Sequence, residues 1–128
     1  MDEVRLLVVE DEPIILFAVE ALLEDAGFTV LAASNGKSAI DLLQDFKDSL
    51  RGLITDIRIP GGLSGWDVAR RARELRPDLP VVYTTGDSAG EWAAQGVPQS
   101  MLLQKPYADA QLLTAISGLL NAGVNSAA

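Results

Sequence analysis

The 128-residue chain has no cysteine and no histidine. Lacking cysteine, it has no disulfide framework, no thiolate metal site and no thiol nucleophile. Lacking histidine, it has no Ser-His-Asp or Cys-His relay and no imidazole ligand for a metal. No apolar run approaches the roughly 18 residues that a membrane span needs, so no membrane partner is expected. The opening MDEVR is acidic and lacks the basic start of a secretory signal. Positive charge is scarce, with 10 Lys and Arg against 18 Asp and Glu, a net charge of −8. Such a chain repels phosphate backbones, which argues against nucleic-acid binding. The expectation is one acidic, cytoplasmic domain, 48% apolar and long enough to bury a core.

Five short apolar runs stand at intervals: Leu6 to Val9, Val30 to Ala33, Leu53 to Thr55, Val81 to Thr84 and Met101 to Leu103. Between them lie segments of helical spacing. Ile15, Val19, Leu22 and Ala26 fall on one face of a first helix, and Gly27 is placed to end it. Ile40, Leu43 and Phe46 mark a second, with Asn35 as its cap. Val68, Ala72 and Leu75 mark a third, opened by Ser64 and Asp67 in a capping-box pattern. Leu112, Ile116, Leu119 and Leu120 mark the last, closing near Gly123. Strands alternating with helices predict an α/β fold with a parallel sheet and helices on both faces. Residues 1–122 form the expected domain, and residues 123–128 an expected frayed tail. Gly86 to Gln99 is glycine-rich and poor in apolar residues, so a helix there is short, Ser88 to Gln95 at most.

The residues at the carboxyl end of each run carry the chemistry. Glu10, Asp11 and Glu12 stand after the first, Asp56 after the third, Thr85 after the fourth and Lys105-Pro106 after the fifth. Parallel α/β sheets bind ligands at the carboxyl ends of their strands. Acids, a hydroxyl and an amine are therefore delivered to one rim. Clustered carboxylates repel one another and call for open water or a cation. Each residue also has a plainer reading. Asp11 and Glu12 suit the start of a helix by charge alone, Asp56 could cap a turn before Pro60, Thr85 is a good strand former, and Lys105 could be a surface lysine. Arg70, Arg71, Arg73 and Arg76 read as a solvated helix face, and Trp66 and Trp92 as packing residues.

The motifs VVEDE, LITDIRIP, SGWD, PVVYTTG and LLQKPY, in this order and spacing, resemble the receiver domain of two-component response regulators from Leu6 to about Leu120. The resemblance implies a flavodoxin-like, five-stranded, doubly wound sheet in the order 2-1-3-4-5. It implies Asp56 as phosphoacceptor, and Glu10, Asp11, Asp56 and the backbone carbonyl of Arg58 around Mg²⁺, a cation that takes hard oxygen ligands. Lys105, turned inward at a cis Lys-Pro bond, and Thr85 would contact the phosphoryl group. The implied partner is a histidine kinase or histidine phosphotransfer protein, with this chain a monomer or weak dimer. It would not be an enzyme beyond catalysing its own phosphorylation and dephosphorylation. The alternative is a pseudo-receiver, a pure interaction module.

Three departures from the family pattern stand out. The loop PGGLSG is glycine-rich and looks one residue longer than usual. Leu102 occupies the strand position where many receivers carry a switching aromatic. The fourth helix is short or absent. Arg58 and Asp87, each two residues past a site residue, are placed to pair over the site and gate the loss of phosphate. The weakly held stretch Ser88 to Pro98 is the expected switching element.

Overall fold

A computed structural model describes residues 3–127, with side chains for residues 3–122. Five strands, β1 (Arg5–Val9), β2 (Thr29–Ala33), β3 (Leu50–Asp56), β4 (Val81–Thr85) and β5 (Met101–Gln104), form one sheet. All neighbours pair parallel, in the order β2-β1-β3-β4-β5. The order reverses at β1, so the connections after β1 and β3 diverge to opposite sides and leave a crevice at the strands' carboxyl ends.

Strand residues alternate between two cores, as the two-residue period dictates. Leu7, Val9, Leu53, Val81 and Tyr83 pack on one face against α2 (Gly36–Asp45) and α3 (Gly65–Leu75). Leu6, Val8, Ile54 and Val82 pack on the other, against α1 (Pro13–Asp25) and α5 (Asp109–Ala127). Each fully buried leucine here contributes about 1.5–3 kcal/mol.

The helix signals act as expected at most ends. Asn35 Oδ1 accepts from the Ser38 amide at 2.8 Å. Ser64 and Asp67 form the reciprocal capping box of α3. Gly27, at φ 98°, terminates α1 in the left-handed region that glycine enters without strain. In α1 Ile15, Val19 and Leu22 pack on the core as expected, joined by Leu23, while Ala26 is the exposed C-cap residue just past the helix. β3 begins three residues before the expected run, because Gly52 lets Leu6 and Ile116 close over the backbone there. α5 continues past Gly123 to Ala127, so the backbone of the expected tail is helical that far, and Ala128 lies outside the described residues.

The fourth helical segment is reduced to a 3₁₀ turn at Ala89–Glu91 and one turn of α4 (Trp92–Gln95). The arginines of α3 and its C-cap are in part the expected solvated face, with Arg70 exposed and Arg71 in a surface ion pair with Glu74, but three of them also bind the neighbouring loops. Arg73 donates to the carbonyls of Leu79 at 2.7 Å and Pro98 at 2.6 Å. Arg76 donates to those of Lys47 at 2.7 Å and Leu50 at 3.0 Å. Arg70 reaches the side-chain and backbone oxygens of Gln95. Long stems let the guanidinium groups satisfy carbonyls left free where loops and helices end. Among the described residues no helix is long and apolar enough to cross a membrane.

Candidate phosphoacceptor and metal site

Glu10 directly follows β1, its amide held by the Ala33 carbonyl at 3.0 Å. Asp56 is the last residue of β3, and the two strands run side by side. Glu10 is 4% and Asp56 8% exposed, while Asp11 opens to solvent. One oxygen from each of Glu10, Asp11 and Asp56 lies within 4.8 Å of the others. Lys105 follows β5, and its amide donates to the Thr85 carbonyl at 2.7 Å. The Lys105-Pro106 bond is cis, as expected. Lys105 Nζ donates to Glu10 Oε1 at 2.9 Å and to Asp56 Oδ2 at 3.1 Å. Asp56 Oδ1 accepts from the Ile57 amide at 3.0 Å.

Charge in this cluster is unbalanced. Three carboxylates face one ammonium, at a place where burial strengthens every charge interaction. Burial pushes the Asp56 carboxyl above its ordinary pKa, and the neighbouring Glu10 charge pushes it further; Lys105 only partly opposes them. For Lys105 burial favours the neutral amine, but its hydrogen bonds to Glu10 and Asp56 outweigh that, and its pKa is raised. Lys105 is thus a fixed cation. The remaining negative charge, carried by hard carboxylate oxygens around one point, suits a small divalent cation such as Mg²⁺.

Not every expected residue turns inward. Thr85 ends β4 and is 1% exposed, but its Oγ1 accepts from the amides of Asp87 at 3.2 Å and Ser88 at 2.8 Å. Its hydroxyl hydrogen is left to give elsewhere. The Arg58 side chain makes the expected pair with Asp87, donating from Nε to Asp87 Oδ1 at 3.0 Å. Ser88 Oγ donates to the same oxygen at 3.0 Å. Sequence reasoning missed Ser88, which is 3% exposed; a serine in a glycine-rich loop carries no signal of its own. It also missed that Glu10, 95 residues from Lys105, is that lysine's partner.

A doubly wound parallel sheet with an acid cluster and a lysine at its switch point is an α/β domain built around a single candidate site. The profile of the response regulator receiver domain family matches residues 6–117, and the chain belongs to that family. It is 43% identical over 86 residues to the response regulator receiver protein CpdR of Brucella abortus, covering 66% of this chain and 68% of that protein. It is 32% identical over 121 residues to the transcriptional regulatory protein CusR of Escherichia coli, covering 93% of this chain and 52% of CusR. The chain therefore spans about half the length of that relative. The crystal structure of a response regulator receiver protein from Sinorhizobium medicae superposes with a TM-score of 0.91 at 48% identity, covering 94% of this chain and 97% of that one.

Proposed function

We propose that Asp56 accepts a phosphoryl group from the phosphohistidine of a histidine kinase or histidine phosphotransfer protein. The carrying observation is Lys105 Nζ bridging Asp56 and Glu10 beside the three-carboxylate cluster. An Asp56 carboxylate oxygen attacks phosphorus, the phosphorus–nitrogen bond breaks, and its electron pair returns to the donor imidazole. The product is an acyl phosphate, later hydrolysed by water to restore the carboxylate. The Ile57 amide and the lysine fix the carboxylate's orientation, so the reacting oxygen is positioned before the donor arrives. Lys105 stays charged and is free to pair with phosphoryl oxygens. The Thr85 hydroxyl retains a hydrogen to donate to the same group. Glu10, Asp11, Asp56 and, by the family resemblance, the Arg58 carbonyl would hold Mg²⁺, which would supply neutralisation of the phosphoryl charge.

On this reading the chain works in the cytoplasm, where kinases draw on ATP, and turns over no substrate but its own acyl phosphate. The intact Glu10, Asp11, Asp56, Thr85 and Lys105 speak against a pure interaction module. Intact mass after treatment with acetyl phosphate tests the proposal. The wild type gains one phosphoryl group with Mg²⁺ and little without it, and Asp56→Asn gains none. Equal gain in Asp56→Asn, or without metal, would sink it.

A further inference from the structure

The segment between β4 and β5 is tied at both ends to one strand. Thr85 Oγ1 holds its front through the Asp87 and Ser88 amides. Two residues back, and so on the same face of β4, Tyr83 holds its rear: the buried Tyr83 hydroxyl accepts from the Val97 amide at 3.1 Å. The rear is knitted further. Ser100 Oγ donates to the Val97 carbonyl at 2.7 Å and accepts from Trp92 Nε1 at 3.0 Å. The Tyr83 ring lies 4.7 Å from that of Trp66, centroid to centroid, and Trp66 stands in the first turn of α3, beyond the Asp56 loop. Strand β5 offers Leu102, with no ring or hydroxyl to fill this role.

We propose that the Tyr83–Val97 hydrogen bond is a latch holding the α4 segment in the unphosphorylated arrangement. Tyr83 is then a positioning residue that links the chemistry at Asp56 to the surface around Trp92. The inference rests on Asp56 being phosphorylated. A Thr85 side chain that shifts to bring its hydroxyl hydrogen onto a phosphoryl oxygen carries its oxygen away from the two amides at the front of the segment. The segment has one helical turn and few buried residues of its own, so losing the front lowers the cost of opening the rear. Coupling of this kind is reciprocal. If phosphorylation opens the latch, removing the latch must favour the phosphorylated arrangement.

Tyr83→Phe deletes the acceptor and keeps the ring; Val97→Pro deletes the donor, after a Gly96 already in the extended conformation that precedes proline comfortably. Hydrogen exchange at the Val97 amide should quicken about fivefold to tenfold in Tyr83→Phe, the worth of one neutral hydrogen bond. Beryllofluoride with Mg²⁺, a mimic of the phosphorylated state, should bind both variants several-fold more tightly than wild type. In the wild type it should move the amide resonances of Ser88, Val97 and Ser100 and the Trp92 indole. In both variants the Ser100 and Trp92 signals should already lie near the liganded position. Unchanged mimic affinity together with a wild-type response at Ser100 and Trp92 would overturn the latch. Failure of the wild type to gain phosphate from acetyl phosphate would instead refute the phosphoacceptor reading beneath it.

Discussion

Arg58 and Asp87 meet across 29 residues of sequence, Nε to Oδ1 at 3.0 Å, bridging the loops that follow β3 and β4. Both side chains are largely exposed, 75% and 54%. A pair this wet is worth about 0–1 kcal/mol to the fold, and less in salt. Its position matters more, because it ties the residue two past Asp56 to the residue two past Thr85. Arg58→Ala and Asp87→Ala should leave the melting temperature nearly unchanged and alter the rate at which phospho-Asp56 is hydrolysed. Rates equal to wild type in both variants would remove the gate.

Asp56 should cost the fold stability at neutral pH. Its pKa is raised by burial first and then by Glu10, and the rise survives the opposing contribution of Lys105. A carboxyl raised in this way contributes its stability in the protonated form. That contribution is complete below the unfolded pKa, about 3.9, and is lost as pH rises through the folded value. Asp56→Asn keeps the shape and removes the charge. It should therefore melt above wild type at pH 7, with the gap closing as pH falls toward about 4. Thermal melts at several pH values decide it; a variant less stable than wild type at pH 7 contradicts the sign.

Much of this was legible in the sequence, for physical reasons. The central strands are short apolar runs because both their faces are covered, and each rim residue lies at the end of its run, so chain position alone placed Glu10, Asp56, Thr85 and Lys105 at one edge. The pattern could not say what each would touch. Periodicity marks Arg70, Arg73 and Arg76 as polar-face residues, but the carbonyls they reach belong to loops brought beside α3 only by folding. Leu50, Arg51 and Gly52 fell outside the apolar run that marked β3, although they are part of the strand and the sheet needs the small residue at Gly52 for packing. Glu10 looked like a metal ligand; folding gives it a lysine partner as well.

That partnership separates the two acids after β1. Glu10 is buried, with Oε1 on Lys105 and Oε2 on the Glu12 amide. Asp11 is exposed and, among the described residues, its side chain makes no hydrogen bond or ion pair. It can turn to a cation without breaking anything. Mg²⁺ should stabilise the wild type, by about 2.7 kcal/mol at a hundredfold excess over Kd. Asp11→Ala should abolish most of the rise in melting temperature, and Glu10→Ala should leave more of it. The reverse order would mean that Glu10 abandons Lys105 for the metal.

Gly65 fixes how α3 abuts Asp56. It is the first residue of α3, and its amide donates to the Ile57 carbonyl at 2.7 Å. A Cβ at this position would overlap the Asp56 carbonyl oxygen and lie 2.8 Å from Ile57 Cα. Those are backbone atoms and cannot rotate away. Gly65→Ala must therefore push the start of α3 off the end of β3, straining the capping box of Ser64 and Asp67 and shifting Asp56. A loss of about 1–3 kcal/mol is expected, the usual cost of overfilling a packed site. Gly118 is the internal control. It is exposed within α5, and a Cβ there meets nothing within 4 Å. Gly118→Ala should stabilise by about 0.5–1 kcal/mol through helix propensity alone. Urea midpoints measured together should move in opposite directions. If Gly65→Ala unfolds at the wild-type midpoint and still takes up phosphate at the wild-type rate, the tight abutment of α3 on Asp56 does not govern the site.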